Sequence, residues 1–279
     1  MVVEVMLPQE QMIARVRQLC RQDERIVGAF MYGSFTTGEG DSFSDVEFYV
    51  YLDEAAYHAF QPAAWVGQIA PVALYFANEF GTGTAIFENL VRGEFHFERA
   101  KEMAQIRAWT EEAGFPPAGA MLIVDRTGEL IKHLETISGP GPARGTSQQV
   151  STLWHRFLNW MLFGTSVLAR GERARALEVL WWVQRYLLWF ARLREDSTAH
   201  WQTPSKGVEN DLSPAAYGRY VACTASLTGA DPERAYRAAW TWAKEMIRAL
   251  AIERGLDPQE ALMRRLDAHF SVVLSKGEH

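Results

Sequence analysis

MYGSFTTGEGDSFSDVEFYVYL, residues 31–52, decides how this chain is read. It runs as apolar strand, glycine turn, short helix or loop, and second strand. Gly33 and Ser34 follow the first strand directly. There a residue without a side chain lets backbone N–H groups approach phosphate oxygens, and a hydroxyl adds a donor. Asp45 and Glu47 stand one residue apart in the second strand, so their side chains project from the same face. Val46, Phe48 and Val50 take the opposite face, which leaves Tyr49 beside the acids in the pattern of a half-buried sheet. Alone, a Gly-Ser after a strand is usually a turn and an Asp-x-Glu pair is usually a solvated face; the combination at this spacing points to a site.

Two carboxylates so close repel each other, and burial raises at least one pKa unless a cation is present. Magnesium suits such a partial site, because it takes a few carboxylates and completes its shell with phosphate oxygens and water. A pair of ions in such a site would hold the attacking and leaving oxygens of a displacement in line. The chemistry also needs a group that accepts a proton from the acceptor. Glu94, in the strand-like run VRGEFHF, is the candidate third carboxylate and general base. Glu88 and Glu98 lie close by, and spacing alone does not choose among the three. Arg92 and His96 share the face of Glu94. Arg92 either neutralises triphosphate charge or pairs with an acid; His96 either touches phosphate or acceptor or is structural. Tyr49, Phe97, Trp154 and Trp160 are aromatic candidates for covering an amphipathic acceptor, with core packing as the competing reading.

Outward from this segment, β-rich runs occupy 26–32, 46–52, 72–76, 84–87, 93–97 and 121–124. Met12, Val16 and Leu19 recur at helical spacing in a segment ending near Asp23, which predicts an opening amphipathic helix. The stretch SGPGPARG, residues 138–145, breaks the pattern and reads as a linker. Beyond it the β signal disappears. Leu153, Phe157, Trp160, Met161, Gly164, Val167 and Leu168 form one helical stripe. Ser213-Pro214, Asp231-Pro232 and Asp257-Pro258 each read as a capping side chain followed by proline at the first helical position, the last reinforced by Glu260 as the far member of a capping box. The apolar stretch Val179–Leu193 carries Gln184, Arg185 and Arg192. It is shorter than the ~20 apolar residues of a membrane span and reads as a buried helix. The expectation is an α+β chain: a catalytic domain with a small mixed sheet over residues 1–137, and an all-α bundle over 146–279 that binds the acceptor, dimerises, or both.

With 28 basic against 34 acidic residues the net charge is −6. No broad cationic surface is available for a nucleic-acid backbone, so no nucleic-acid partner is expected. Cys20 and Cys223 stand far apart without neighbouring ligands, which fits a reducing, cytoplasmic setting and argues against zinc or a disulfide framework. The opening MVVEVMLPQEQM has no basic region ahead of an apolar core, so no signal peptide and no membrane partner are expected.

The apolar strand, Gly-Ser and Asp-x-Glu pattern resembles the nucleotidyltransferase superfamily. MYGSF (31–35), GEGD (38–41), SDVEFYVYL (44–52), IFENLVRGEFHF (86–97) and AMLIVDRTGEL (120–130) resemble the lincosamide nucleotidyltransferases, which adenylylate antibiotics. The likeness continues more weakly through VLARGERARALEVL (167–180), and the C-terminal half is otherwise less alike. The resemblance implies Asp45 and Glu47 as metal ligands, Glu94 as third ligand and general base, and Gly33 and Ser34 on the triphosphate. It thereby selects Glu94 over Glu88. It further implies ATP as donor, magnesium as cofactor, a hydroxyl of lincomycin or clindamycin as acceptor, antibiotic resistance as the outcome, and a homodimer. Three other readings compete. One is an aminoglycoside or other small-molecule acceptor. Another is a toxin–antitoxin module whose Arg264 and His269 give the Arg-x4-His spacing of some helical ribonucleases. The last is a silent binding protein, against which the retained acidic set argues.

Overall fold

The computed structural model describes residues 6–275; the first five residues of the opening segment, on which the absence of a leader was partly read, lie outside the described residues. The chain divides into two compact units between Pro142 and Ala143, inside the Gly/Pro-rich stretch.

The first unit is built on a mixed sheet. Its strands are β1 (Ile26–Tyr32), β2 (Val46–Leu52), β3 (Val72–Ala77), β4 (Gly83–Phe87), β5 (Arg92–Arg99) and β6 (Leu122–Asp125), in the spatial order β3-β4-β5-β2-β1-β6. Among the described strands only β2 and β5 pair in parallel; the other neighbours are antiparallel. The alternation in β2 explains how the sheet sits. Val46, Phe48, Val50 and Leu52 are buried on one face, where Phe48 stacks on Phe95 with ring centres 5.5 Å apart. Helix α1 (Pro8–Gln22) adds Met12, Ile13, Val16 and Leu19 to this core. Its start is fixed by Pro8 and by Glu10, whose carboxylate accepts the Leu7 N–H at 2.7 Å.

On the other face, Phe30 and Tyr51 form a second core with Met103 and Ile106 of a 3-10 helix (Ala100–Glu111), Met121 of α5 (Ala118–Met121), and Leu130 and Leu134 of α6 (Leu130–Ile137). Short helices α2 (Ser34–Thr37), α3 (Glu54–Tyr57) and α4 (Pro62–Val66) complete the unit. The expected strand at 121–124 begins one residue later, because Met121 closes α5 and points into the core.

Among the described residues of the second unit the regular elements are all helices: α7 (Ser147–Ala169), α8 (Arg173–Arg194), α9 (Val208–Asp211), α10 (Pro214–Ala222), α11 (Asp231–Arg254) and α12 (Glu260–Ser275). Trp154 and Phe157 of α7, Phe190 of α8 and Trp240 of α11 form its aromatic centre, with Trp154 and Trp240 stacked 6.0 Å apart. Gly164 is required in α7, since a Cβ there would lie 2.1 Å from the Tyr236 hydroxyl, which donates to the Ala176 carbonyl at 2.7 Å. The stretch 179–193 lies within α8, and no described helix is long and apolar enough to cross a membrane. Its Arg192 is fully buried and answers its charge by donating to Asp211 at 2.9 Å and to the carbonyls of Ser197, Pro204 and Lys206.

Of the three expected caps, Ser213 accepts the Ala216 N–H and opens α10. The other two are corrected. Ala230 is the N-cap of α11, because Asp231 already lies inside the helix and accepts the Ser226 N–H instead. Asp257 bonds the N–H of Gln259, whose φ of +62° delays α12 until Glu260; that glutamate pairs with Arg248.

Candidate active site

Three strand ends meet at one end of the sheet: the C-terminal end of β1 and the N-terminal ends of β2 and β5. Gly33 leaves β1 with φ +80° and ψ −163°, a conformation essentially restricted to glycine. A Cβ at this position would stand 1.6 Å from Glu47 Oε2. Glycine is therefore required both by the backbone and by the carboxylate lying over it. Thr36 Oγ1 donates to the Gly33 carbonyl at 2.6 Å and holds the turn. The loop into Asp45 is tied to α1, where buried Gln9 donates Nε2 to the carbonyls of Ser42 and Ser44, each at 3.0 Å.

The parallel register of β2 and β5 sets Glu47 beside Glu94, Tyr49 beside His96 and Tyr51 beside Glu98. Arg92, on the Glu94 face, forks between two acids: Nη1 donates to Asp45 Oδ2 and Nη2 to Glu94 Oε1. The structure thus brings Asp45, Glu47, Glu94, Arg92 and Gly33 together. Ser34 opens the four-residue helix α2 immediately after Gly33. Glu88 is exposed between β4 and β5, and Glu98 lies four residues further along the Glu94 face.

Asn78 is a neighbour that sequence reading missed. Its Nδ2 donates to Glu94 Oε1 at 3.4 Å, while its Oδ1 accepts the N–H groups of Phe80 and Thr82, both at 3.0 Å. The only sequence signal is a polar turn residue between two strands, which does not say which carboxylate it faces.

An aromatic shelf follows the acids along the face. Tyr49 and His96 stack with ring centres 4.0 Å apart and planes within 4°. Tyr32 Oη lies 3.1 Å from His96 Nε2, and Trp109 meets Tyr49 edge-on at 5.1 Å. Burial holds the His96 imidazole neutral by lowering its pKa to about 4. Burial also raises the phenols: Tyr49 goes up to about 12, helped by Glu98 and Glu94, and Tyr32 moves the same way, helped first by Glu47. These groups stay uncharged beside the carboxylates. At the far end Glu98 is pushed up to about 7, by burial first and then by Glu102.

The other aromatic candidates part company here. Phe97 points to the opposite face, where it packs 5.0 Å from Phe60. Trp154 is core of the bundle, and Trp160 stacks on Trp182 at 5.2 Å. Arg264 and His269 are exposed positions of α12, five residues apart, and so stand on different sides of the helix.

Among the described residues no three acidic, histidine or cysteine side chains are gathered closely enough to hold a metal ion. Positive charge between Asp45 and Glu94 comes from the Arg92 guanidinium. The donors nonetheless suit a hard divalent cation. They are carboxylate oxygens on adjacent strand positions, they lie beside a turn kept open by Gly33, and the side chains of Arg92 and Asp45 are 46% and 31% exposed, which leaves the guanidinium room to withdraw.

Residues 146–269 match the family of the lincosamide nucleotidyltransferase-like C-terminal domain. The match falls on the bundle, whereas sequence reading placed the likeness chiefly in the first half. No curated protein matches the chain. Several solved structures are similar, two of them as follows. An aminoglycoside 6-adenyltransferase from Bacillus subtilis is 13% identical, with 96% of this chain and 99% of that one covered and a TM-score of 0.45. A nucleotidyltransferase-like protein from Exiguobacterium sibiricum is 15% identical, with 86% and 77% covered and a TM-score of 0.37.

Proposed function

We propose that the chain, whose residues 146–269 match the lincosamide nucleotidyltransferase-like C-terminal domain, transfers AMP from ATP to a hydroxyl of a small acceptor, in the first place a lincosamide, and releases pyrophosphate. The observation that carries this reading is the register of Glu47 beside Glu94, with Asp45 under the same guanidinium and Gly33 beneath Glu47.

In this mechanism the backbone at Gly33 and the Ser34 hydroxyl receive the triphosphate. Asp45 and Glu47, with Glu94 as third donor, would hold magnesium, which would offset the charge on the phosphate oxygens and the leaving pyrophosphate. Arg92 gives up its two carboxylates and turns to the phosphates, a role its planar fork suits. Glu94 then accepts the proton of the acceptor hydroxyl, whose oxygen attacks the α-phosphate in line. The Tyr49–His96 stack provides a flat, uncharged wall against which the acceptor is oriented. The region 1–137 carries the chemistry, and 146–279 serves acceptor binding or the pairing of two copies into a homodimer. The setting is cytoplasmic, in keeping with two buried free thiols.

Incubation of the purified chain with magnesium, ATP and a panel of lincosamides and aminoglycosides, followed by mass spectrometry, tests the proposal. The expected result is one AMP added to lincomycin or clindamycin with release of pyrophosphate. Modification of aminoglycosides alone would overturn the acceptor; no modified product and no pyrophosphate would overturn the transferase.

A further inference from the structure

The turn between β3 and β4, residues 78–82, closes on itself and carries Asn78 to the acids. The Asn78 N–H donates to the Thr82 carbonyl at 2.9 Å, and the Asn78 carbonyl accepts the Gly81 N–H at 2.9 Å. Its side-chain Oδ1 accepts the N–H groups of Phe80 and Thr82, both at 3.0 Å. Two backbone donors on one atom decide which way the amide is turned, because an amide nitrogen cannot accept them. The group that faces Glu94 Oε1, at 3.4 Å, is therefore the donor Nδ2. Thr84 stands directly opposite Glu94 in the β4–β5 ladder, yet its hydroxyl donates to the Thr82 carbonyl at 3.3 Å instead.

Asn78 Nδ2 and Arg92 Nη2 converge on the same oxygen, Oε1. We propose that Asn78 is a positioning residue for Glu94: anchored by its turn, it holds Oε1 after Arg92 has turned to the phosphates, and so presents Oε2 to the acceptor hydroxyl. The inference rests on the role given to Glu94 above and deepens it. A glutamate reaches its carboxylate through three rotatable bonds, and a base must stand within about 2.6–3.2 Å of the group whose proton it takes. The guanidinium leaves with the incoming triphosphate, whereas the Asn78 amide is fixed by backbone groups of its own turn. The 3.4 Å contact is long while Arg92 shares the oxygen, and such bonds tighten in the reacting complex. Partners that orient a working carboxylate in this way are worth about 10- to 100-fold in activity.

The test is single-turnover pyrophosphate release by the full chain with ATP, magnesium and lincomycin, alongside ATP titration and denaturant unfolding. It compares the parent, Asn78→Ser, Asn78→Asp, Glu94→Gln and the double variant Asn78→Ser/Glu94→Gln. Serine and aspartate both keep an oxygen for the turn N–H groups, but serine is one atom too short to reach Glu94 and aspartate has no N–H to give. Expected is a maximal rate about 10- to 100-fold lower in Asn78→Ser and lower still in Asn78→Asp, where a like charge faces the carboxylate. Half-saturating lincomycin and ATP affinity should stay within about twofold of the parent. On the Glu94→Gln background Asn78→Ser should cost nothing further, because the group it positions is gone. Should the serine variant fail to fold, the aspartate variant, which keeps the turn, carries the comparison. Parent-like rates in both variants, an equal loss on the Glu94→Gln background, or a rise in half-saturating lincomycin at unchanged maximal rate would each overturn the role. A parent chain that releases no pyrophosphate would instead overturn the transferase reading, and this role with it.

Discussion

Replacement of Gly33 by alanine probes the turn and the acids with one methyl group. At φ +80° and ψ −163° an alanine pays about 1–3 kcal/mol of backbone strain. The new Cβ would lie 1.6 Å from Glu47 Oε2, and real contacts essentially never fall below 3.0 Å, so that oxygen must retreat by at least 3.0 − 1.6 = 1.4 Å. Glu47 sits beside Glu94 in the parallel ladder, and the displacement therefore reaches the carboxylate set itself. A misplacement of ~1 Å in a reacting geometry costs about a hundredfold in rate. Gly33→Ala should lose about 1–3 kcal/mol in denaturant unfolding and fall about a hundredfold or more in magnesium-dependent pyrophosphate release. A variant of unchanged stability with activity within a few-fold of the parent would refute the reasoning, because it would place neither strain nor Glu47 at this turn.

Three further outcomes follow from other parts of the chain. If Glu94 is the base as proposed, Glu94→Gln keeps the shape and removes it, so transfer should drop by about 10²–10⁴-fold with ATP binding retained, as read by single-turnover kinetics and equilibrium titration; undiminished turnover would reassign the base. Glu98, raised to about 7 from an ordinary 4.5, binds its proton more tightly folded than unfolded. Its ionisation therefore removes stability as pH climbs from about 4.5 through 7. Because His96, lowered to about 4, acts in the opposite sense over much of that window, the reading is the difference in melting temperature between Glu98→Gln and the parent. It should shift in favour of the variant as pH rises, and a constant difference counts against it. In the bundle, Gly164→Ala drives a methyl to 2.1 Å from the Tyr236 hydroxyl; overpacking of this kind costs about 1–3 kcal/mol in chemical denaturation.

The sheet was legible because its strands carry strong local signals. The alternation Val46, Phe48, Val50 against Glu47, Tyr49 specifies which face is buried, and β1 and β2 fall on their expected bounds. The bundle was legible through the helical stripe of α7. Pairing was not, since it is a property of distant segments: nothing local says that β2 runs parallel to β5, and it is that register which sets Glu94 rather than Glu88 beside Glu47. Arg92 was seen as pairing with either phosphate or an acid, and its bridge between Asp45 and Glu94 depends on a contact across 47 residues. Asn78 stayed hidden for the same reason. Two helix starts were misplaced, by one and by two residues, because Asp231 and Asp257 bond loop N–H groups instead of capping, a competition open to any short acidic side chain.

In the proposed mechanism Asp45, Glu47 and Glu94 take up one divalent ion together with the triphosphate once Arg92 lets go. Electron paramagnetic resonance of manganese titrated into the chain with a non-hydrolysable ATP analogue reads this without turnover. A protein-bound manganese signal that requires the nucleotide, and weakens at least tenfold in Asp45→Asn and in Glu47→Gln, is the predicted result. Equal manganese uptake by the chain and both variants would contradict it.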